Sequence, residues 1–557
     1  MKFPDTALSR AAQGLAPADI VFRNADVFNP FTCSWDLVDF GVKDGIVLGT
    51  GTYTGRKEQD LRNARVVPGL IDAHVHIESS LLTPREFARL AARHGTTTAI
   101  ADPHEIANVM GGNGIRYMLA DSAHADIDIF FMLPSCVPST PEDIGGAVLD
   151  AADLGEFIGH PRILGLGEMM NVPGVLSGDR VVREKLALAD IVDGHAPMLS
   201  GRDLNAYILN GPQSDHECTT ATEALEKLSR GMFIYLREGS AEKNIRALLP
   251  VVTTCSASRC SFATDDRHAD LLVSEGHIDA LVREAVSHGL EIETAIRMAT
   301  LSPADRFHLY DRGALTPGRV ADFCVLEPGG RFFIAKTFRR GTITGRSEYT
   351  PGIVPPVTMD ASTIGPGSLS IPGGHDARVI GLVPGEIITR ELRYHVSEGG
   401  LPDLDRDIIK AVACSRYEPG LFSVGLVHGF GLKQGAIAGS IAHDAHNIIA
   451  AGACDEDIRS AVRAVIKGHG GLAVACEGNV TVLPLDCAGL MSSGAFEDVS
   501  LQLGRLHRMT ETIGAGEDPF MHLSFLSLPV IPEVRLTVRG LFSFRQNTRV
   551  PLFYENP

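Results

Sequence analysis

The sequence has no run of about 18 uncharged apolar residues, the length that a membrane-spanning helix needs. Between Met1 and Ile20 no apolar run precedes a small-residue cleavage site, so a secretory signal is not expected there. The ten cysteines are scattered and form no CxxC pair, which argues against a disulfide framework or a cysteine-based zinc site. These absences predict a cytoplasmic protein with reduced thiols and no membrane partner.

The sequence also has fewer basic than acidic residues. Lysine and arginine together number 50 against 68 aspartates and glutamates, which gives a formal net charge of −18 at pH 7. An acidic surface repels phosphate backbones, so nucleic acid is not an expected partner. Hydrophobic residues make up 44% of the 557 residues, enough for several packed domains and too many for a disordered chain.

The local patterns divide the chain into five stretches and predict an α/β protein. Alternating segments predict one part of a small β-sandwich domain over residues 1–65 and its second part over 311–346. Between them, over 66–310, short apolar runs alternate with helical patterns, and eight candidate strand ends predict a TIM-like (β/α)8 barrel. A Pro- and Gly-rich linker is predicted over 347–376, followed by a C-terminal α/β (α+β) domain over 377–557.

Two helices have clear sequence signals. Thr83 and Glu86 fit a capping box around Pro84, and Gly95 follows as a stop. In the C-terminal domain, apolar residues at helical spacing predict a helix that begins near Asp455.

Polar side chains follow several predicted barrel strands. His74 and His76 are two residues apart in an extended segment, so both imidazoles face the same side and can bind one metal ion. The later strand ends carry Glu168, His195, His216 and Asp265. Because the carboxyl ends of barrel strands converge on one face, these groups are expected to meet. Such nitrogen and oxygen ligands, with no thiolate, suit Zn, Mn or Fe(II), and six of them favour two ions.

Longer strings carry a resemblance to a known family. They are PGLIDAHVHIESS (68–80), DPHEIANVMG (102–111), GEMM (167–170), REGS (237–240), GFGL (429–432), AHDAHNII (442–449) and FLSLPVIP (525–532). The Asp-x-His-x-His opening resembles the amidohydrolase superfamily, and the longer strings resemble its bacterial adenine deaminase family over nearly the whole chain. This resemblance implies hydrolysis of adenine to hypoxanthine and ammonia. It also implies two divalent ions per subunit, Mn(II) or Fe(II) with Zn(II) as the alternative, and a homodimer or higher homo-oligomer.

The resemblance also bears on the bridging ligand. Many members of the superfamily bridge two ions with a carbamylated lysine on the fourth strand. This sequence has no lysine between Lys57 and Lys185, and Glu168 stands at that position. A glutamate bridge is therefore implied, which weighs against a dihydroorotase- or hydantoinase-like activity.

The resemblance suggests a role for each site residue. One ion is assigned to His74, His76 and Asp265, the second to His195 and His216, and both to Glu168. Asp265 is also expected to move a proton from the attacking water to the departing nitrogen. The glutamate that mononuclear deaminases place after the fifth-strand histidine is missing after His195. The candidates for hydrogen bonding to purine N1 are His104, Glu105, Glu217 and Glu238.

Two other functions remain open at this stage. The same metal pair could hydrolyse a cyclic amide or an N-acyl bond, or the barrel could be a catalytically inactive metal-binding scaffold. In the C-terminal domain, His443, Asp444, His446 and Asn447 could close over the pocket or cap a helix of their own domain.

Overall fold

A computed structural model describes residues 6–140, 142–355, 359, 364–365, 367–384, 386–397, 401–516 and 518–555. In this part of the chain, none of the helices combines the length and the hydropathy that a membrane crossing requires. The predicted linker lies partly outside the described residues, at 356–358, 360–363 and 366, as do the first five and last two residues of the chain.

The two segments that flank the barrel form one sheet. Its strands are β1 Ala18–Asn29, β2 Ser34–Lys43, β3 Ile46–Thr50, β4 Gly55–Pro68, β13 Phe323–Leu326, β14 Ile334–Arg339 and β15 Thr342–Ile343, and the short helix α1 Thr6–Ala12 precedes them in the chain. The seven strands are ordered β15-β14-β13-β4-β1-β2-β3, because β13 pairs with β4 after the barrel has been completed. Phe22, Phe40, Phe323 and Phe338 from both segments pack together in the core of this domain.

Eight parallel strands make the barrel. They are β5 Leu70–Val75, β6 Thr96–Ala101, β7 Asp128–Leu133, β8 Ile163–Met169, β9 Val192–Gly194, β10 Ser214–Asp215, β11 Phe233–Arg237 and β12 Cys260–Ala263. Strands β5 to β9 form one hydrogen-bonded sheet and β10 to β12 another. The ring closes where Gln213 N donates to Val192 O and where Val75 bridges Asp265 in parallel. The predicted (β/α)8 architecture is thus confirmed.

Helices cover the outside of the barrel. They are α2 Pro84–Arg93, α3 His104–Met110, α4 Gly112–Asp121, α5 Ala151–Gly155, α6 Val172–Ser177, α7 Arg180–Leu186, α8 Gly201–Leu209, α9 Ala221–Ser229, α10 Ile245–Leu248, α11 Ala269–Ser274, α12 Ile278–Ser287, α13 Ile292–Met298 and α14 Leu301–Arg306. Helix α2 begins at Pro84 as predicted, but the capping box is wrong because Thr83 makes no side-chain cap bond. Glu86 instead accepts hydrogen bonds from Arg89 and from the backbone N–H of Phe496.

The C-terminal domain is built on an eight-stranded, mainly antiparallel sheet. Its strands are β16 His375–Leu382, β17 Thr389–Val396, β18 Ile408–Cys414, β19 Phe422–His428, β20 Ala436–Gly439, β21 Ile448–Gly452, β22 Gly471–Cys476 and β23 Asn479–Pro484. A meander of β24 Val534–Thr537, β25 Gly540–Ser543 and β26 Thr548–Val550 follows the helices α15 Asp455–Lys467, α16 Phe496–Thr512 and α17 Pro519–Phe525. Helix α15 begins where the sequence predicted and buries Ile458, Val462 and Val465.

The C-terminal domain rests on the mouth of the barrel. Asn447 donates to the carbonyl of Ile144, and the backbone N–H of Ser492 donates to that of Leu81. Phe525, Leu528 and Ile531, at the end of α17 and in the turn after it, pack with Ala241 of the barrel. The face of the barrel that collects the strand ends is therefore covered by a second domain.

Candidate metal centre

Three of the predicted ligands meet where β5 adjoins the end of β12. His74 Nε2 lies 3.1 Å from His76 Nε2. Asp265 Oδ1 lies 3.5 Å from His74 Nε2 and 3.2 Å from His76 Nε2. The backbone fixes this arrangement, since Asp265 N donates to His74 O and His76 N donates to Asp265 O. Asp265 has a left-handed φ of 55°, an uncommon conformation that directs its carboxylate toward the histidines.

The other predicted ligands surround the same point from β8, β9 and β10. Glu168 Oε1 lies 3.2 Å from His76 Nε2. Its second oxygen, Oε2, lies 2.7 Å from His195 Nδ1 and 3.2 Å from His216 Nε2. Glu168 therefore spans the cluster, with one carboxylate oxygen on each side, and all six predicted ligands come together as buried groups.

The donor set and its orientation fit divalent metal ions. His76 Nδ1 donates to the carbonyl of Asp102 at 3.0 Å, which leaves the Nε2 lone pair facing Glu168 and Asp265. Two imidazole Nε2 atoms and two carboxylates in such proximity repel one another unless a proton or a cation lies among them. Nitrogen and oxygen ligands without a thiolate match the preferences of Mn, Fe(II) and Zn. The cluster is therefore a set of buried side chains that could hold divalent metal ions.

Electrostatics keep the two carboxylates ionised. Burial opposes charge on Glu168, but the imidazoles of His216 and His195 outweigh it and hold the Glu168 pKa well below its usual value. Burial likewise opposes charge on Asp265, and Arg237 together with the histidines holds the Asp265 pKa well below its usual value. Both side chains are therefore in the form that binds metal.

A buried lysine holds the loops that carry His195 and His216. Lys227 Nζ donates to Ala196 O at 2.6 Å, to Asp215 Oδ2 at 2.9 Å and to Glu223 Oε1 at 2.7 Å. The backbone N–H of Ala196 donates to Asp215 Oδ1 at 2.8 Å. Ala196 follows His195 in the chain, and Asp215 precedes His216. The contacts of Lys227 with Ala196 and Asp215 therefore fix the backbone next to both predicted ligands.

The four candidates for purine N1 are not equivalent. Glu217 and His104 line the same pocket as the predicted metal ligands. Glu217 accepts from Arg237 Nη1 at 2.5 Å and lies 3.4 Å from His216 Nε2, whereas His104 Nδ1 lies 3.4 Å from Glu168 Oε1. Glu105 lies one layer behind the pocket, where it accepts from Ser79 Oγ at 2.8 Å.

Glu238 is directed away from the pocket. It accepts a hydrogen bond from the backbone N–H of Ile245 at 3.2 Å and lines a separate surface cavity with Lys243. Burial raises its pKa to about 7. The structure therefore does not bring Glu238 to the reacting end of the site.

Several lining residues were not predicted. From the barrel these are Met170, Arg237, Glu242 and Asp266, and from the C-terminal domain Ile387, Phe525, Leu528 and Ile531. His443 and Asp444 line the pocket as well, which agrees with one of the two placements that the sequence left open for them. Arg237 ends β11 and had the same strand-end signal as the ligands. The apolar wall lies in the string FLSLPVIP (525–532), which carries the family resemblance but has no pattern that indicates a place in the pocket. The cavity has a volume of about 30 Å³, room for one or two water molecules.

Comparisons with known proteins agree with this geometry. Residues 65–344 match the model of the amidohydrolase family, and residues 386–548 match that of the adenine deaminase C-terminal domain. The chain is 58% identical to the adenine deaminase of Methanoregula boonei over 98% of both chains. It is 59% identical to the adenine deaminase of Methanoculleus marisnigri, over 93% of this chain and 100% of that one. On this basis the chain belongs to the adenine deaminase family of amidohydrolases.

Proposed function

We propose that this protein hydrolyses adenine to hypoxanthine and ammonia. The observation that carries the proposal is the meeting of four imidazoles and two carboxylates at the mouth of a barrel, in a chain 58% identical to a protein named adenine deaminase. A purine amino group is a poor leaving group, and its hydrolysis needs both an activated water and proton transfer. The site has groups suited to each task.

Two divalent ions, Mn(II) or Fe(II) with Zn(II) as the alternative, are assigned to the centre. One would be held by His74, His76 and Asp265, the other by His195 and His216, and Glu168 would bridge them. The opposite placement of the two Glu168 oxygens supports the bridge. When bound, such ions act as Lewis acids and lower the pKa of water from 15.7 to about 7.

Asp265 is proposed to carry one proton of the water to the leaving nitrogen. Its carboxylate is ionised and lines the pocket beside the ligands. Arg237 donates to it from the far side, which holds the carboxylate in place. The amino group, once it has gained this proton, leaves as ammonia.

Glu217 is proposed to deliver the other proton of the water to ring N1. Attack at C6 places negative charge on N1, and a carboxyl group that has taken a proton from the water can donate it there. Glu217 lies 3.4 Å from His216 Nε2 and is anchored by Arg237, so its carboxyl group stays at the edge of the cluster. With Asp265 handling the second proton, the hydrolysis is balanced.

An ammonia-release screen on protein purified from manganese-grown cells tests the proposal. Adenine, adenosine, hydantoin and dihydroorotate are supplied in turn, and metal content is measured on the same sample. Ammonia from adenine, without ring opening of the two cyclic amides, is the expected result. Ring opening would favour the cyclic-amide hydrolase, and full metal content without turnover of any purine would favour the inactive scaffold.

A further inference from the structure

One wall of the pocket belongs to the C-terminal domain. Phe525, Leu528 and Ile531 supply apolar surface, and His443 stacks on Phe525 with ring centroids 4.4 Å apart and an angle of 12°. Asp444 is the acidic residue that this domain contributes to the described lining. The wall thus combines a flat apolar surface with a single carboxyl group, the composition expected of a surface that binds a heteroaromatic ring.

The carboxyl group of Asp444 has an unused oxygen. Asp444 is 2% exposed, and within the described residues its Oδ2 atom has no hydrogen-bond partner. Its Oδ1 atom lies 3.8 Å from His104 Nε2. A buried polar atom without a partner is costly, and in a lining position a ligand can satisfy it.

Asp444 and Glu217 lie on different sides of the metal ligands. Glu217 is beside His216, at the end of β10, whereas Asp444 is beside His104, which follows β6. In adenine, the reacting C6 atom has N1 on one side and the C5–N7 edge of the imidazole ring on the other. A base that presents N1 to Glu217 therefore turns its imidazole edge toward Asp444.

We propose that Asp444 hydrogen-bonds the imidazole edge of the bound purine at N7, so that the C-terminal domain contributes to substrate specificity. This inference rests on the proposed function, since it takes a purine as the ligand. Burial raises the pKa of Asp444, although His104 opposes the effect, and a protonated carboxyl group can donate to the N7 lone pair. The apolar wall would then cover the ring.

A double-mutant cycle tests this contact, with N7 changed in the ligand and Asp444 changed in the protein. Binding of hypoxanthine and of 7-deazahypoxanthine, which has a C–H in place of N7, is measured by calorimetry on metal-loaded protein. The wild-type protein is compared with Asp444→Ala and Asp444→Asn. Asp143→Asn serves as the control, because this partly buried carboxylate accepts from Ser139 Oγ at 2.6 Å and does not line the metal pocket.

The wild-type protein and Asp143→Asn should bind hypoxanthine about 10- to 100-fold more tightly than the 7-deaza compound. Asp444→Ala should reduce this preference to less than about threefold, and Asp444→Asn, whose amide can still donate, should keep part of it. Equal binding of both ligands by the wild type would overturn the inference whether or not the variants fold. An unchanged preference in Asp444→Ala would do the same.

The same experiments distinguish a failure of the proposed function from a failure of this inference. If adenine releases no ammonia and neither purine binds, the function and this inference are both wrong. If adenine is deaminated but N7 makes no difference to binding, the function stands and the contact from Asp444 is wrong.

Discussion

Replacing Lys227 by methionine removes the cation that holds two predicted metal ligands in place. The side chain is completely buried, and methionine keeps its length and apolar stem. Burial opposes ionisation of Asp215, but Lys227 and His216 outweigh it and lower the Asp215 pKa to about 2 from 3.8, a difference worth about 2 kcal/mol. Loss of the cation also leaves a charge buried without a partner, so the expected destabilisation is about 3–5 kcal/mol.

Urea denaturation of the metal-free variant measures this cost, and metal titration measures its effect on the site. Lys243→Met is a suitable control, because Lys243 is exposed and its loss should change stability by less than about 0.5 kcal/mol. The Lys227 variant should also bind one ion more weakly, since its contacts fix the loops of His195 and His216 alone. A loss below about 1 kcal/mol, with both ions bound as in the wild type, would refute the reasoning.

The remaining predictions concern the reaction. Glu168→Gln should lose bound metal and activity together, because the bridging carboxylate is gone; normal metal content with full turnover would contradict the bridge. Asp265→Asn should retain some metal and lose most of kcat, and unchanged kcat would exclude a proton-transfer role. Glu217→Gln should lower kcat about 10²- to 10⁴-fold with little change in metal content, whereas Glu238→Gln should match the wild type. Near-normal kcat in Glu217→Gln would point to His104 as the donor to N1.

Much of the centre could be predicted because its signals are local. His74 and His76 are two residues apart in an extended segment, and Glu168 and Asp265 each follow a short apolar run. Strand alternation and the convergence of barrel strands then suffice to bring these groups together. Their roles as ligands stay predictions until metal is measured.

The features that escaped prediction depend on distant contacts. Glu86 was assigned to a local capping box with Thr83, yet its carboxylate is taken by Arg89 and by the backbone of Phe496, about 410 positions along the chain. The apolar wall around Phe525 reaches the site only because the C-terminal domain docks on the barrel. No periodicity or spacing in the sequence predicts such docking, since it depends on the complementarity of the surfaces of two folded domains.

Titration of metal-free protein with Mn(II), followed by calorimetry and by ammonia release from adenine, tests the central claim most directly. The account predicts two ions per chain, activity that appears as they bind, and loss of both in Glu168→Gln. Binding of a single ion, or two ions that persist in Glu168→Gln with undiminished turnover, would contradict it.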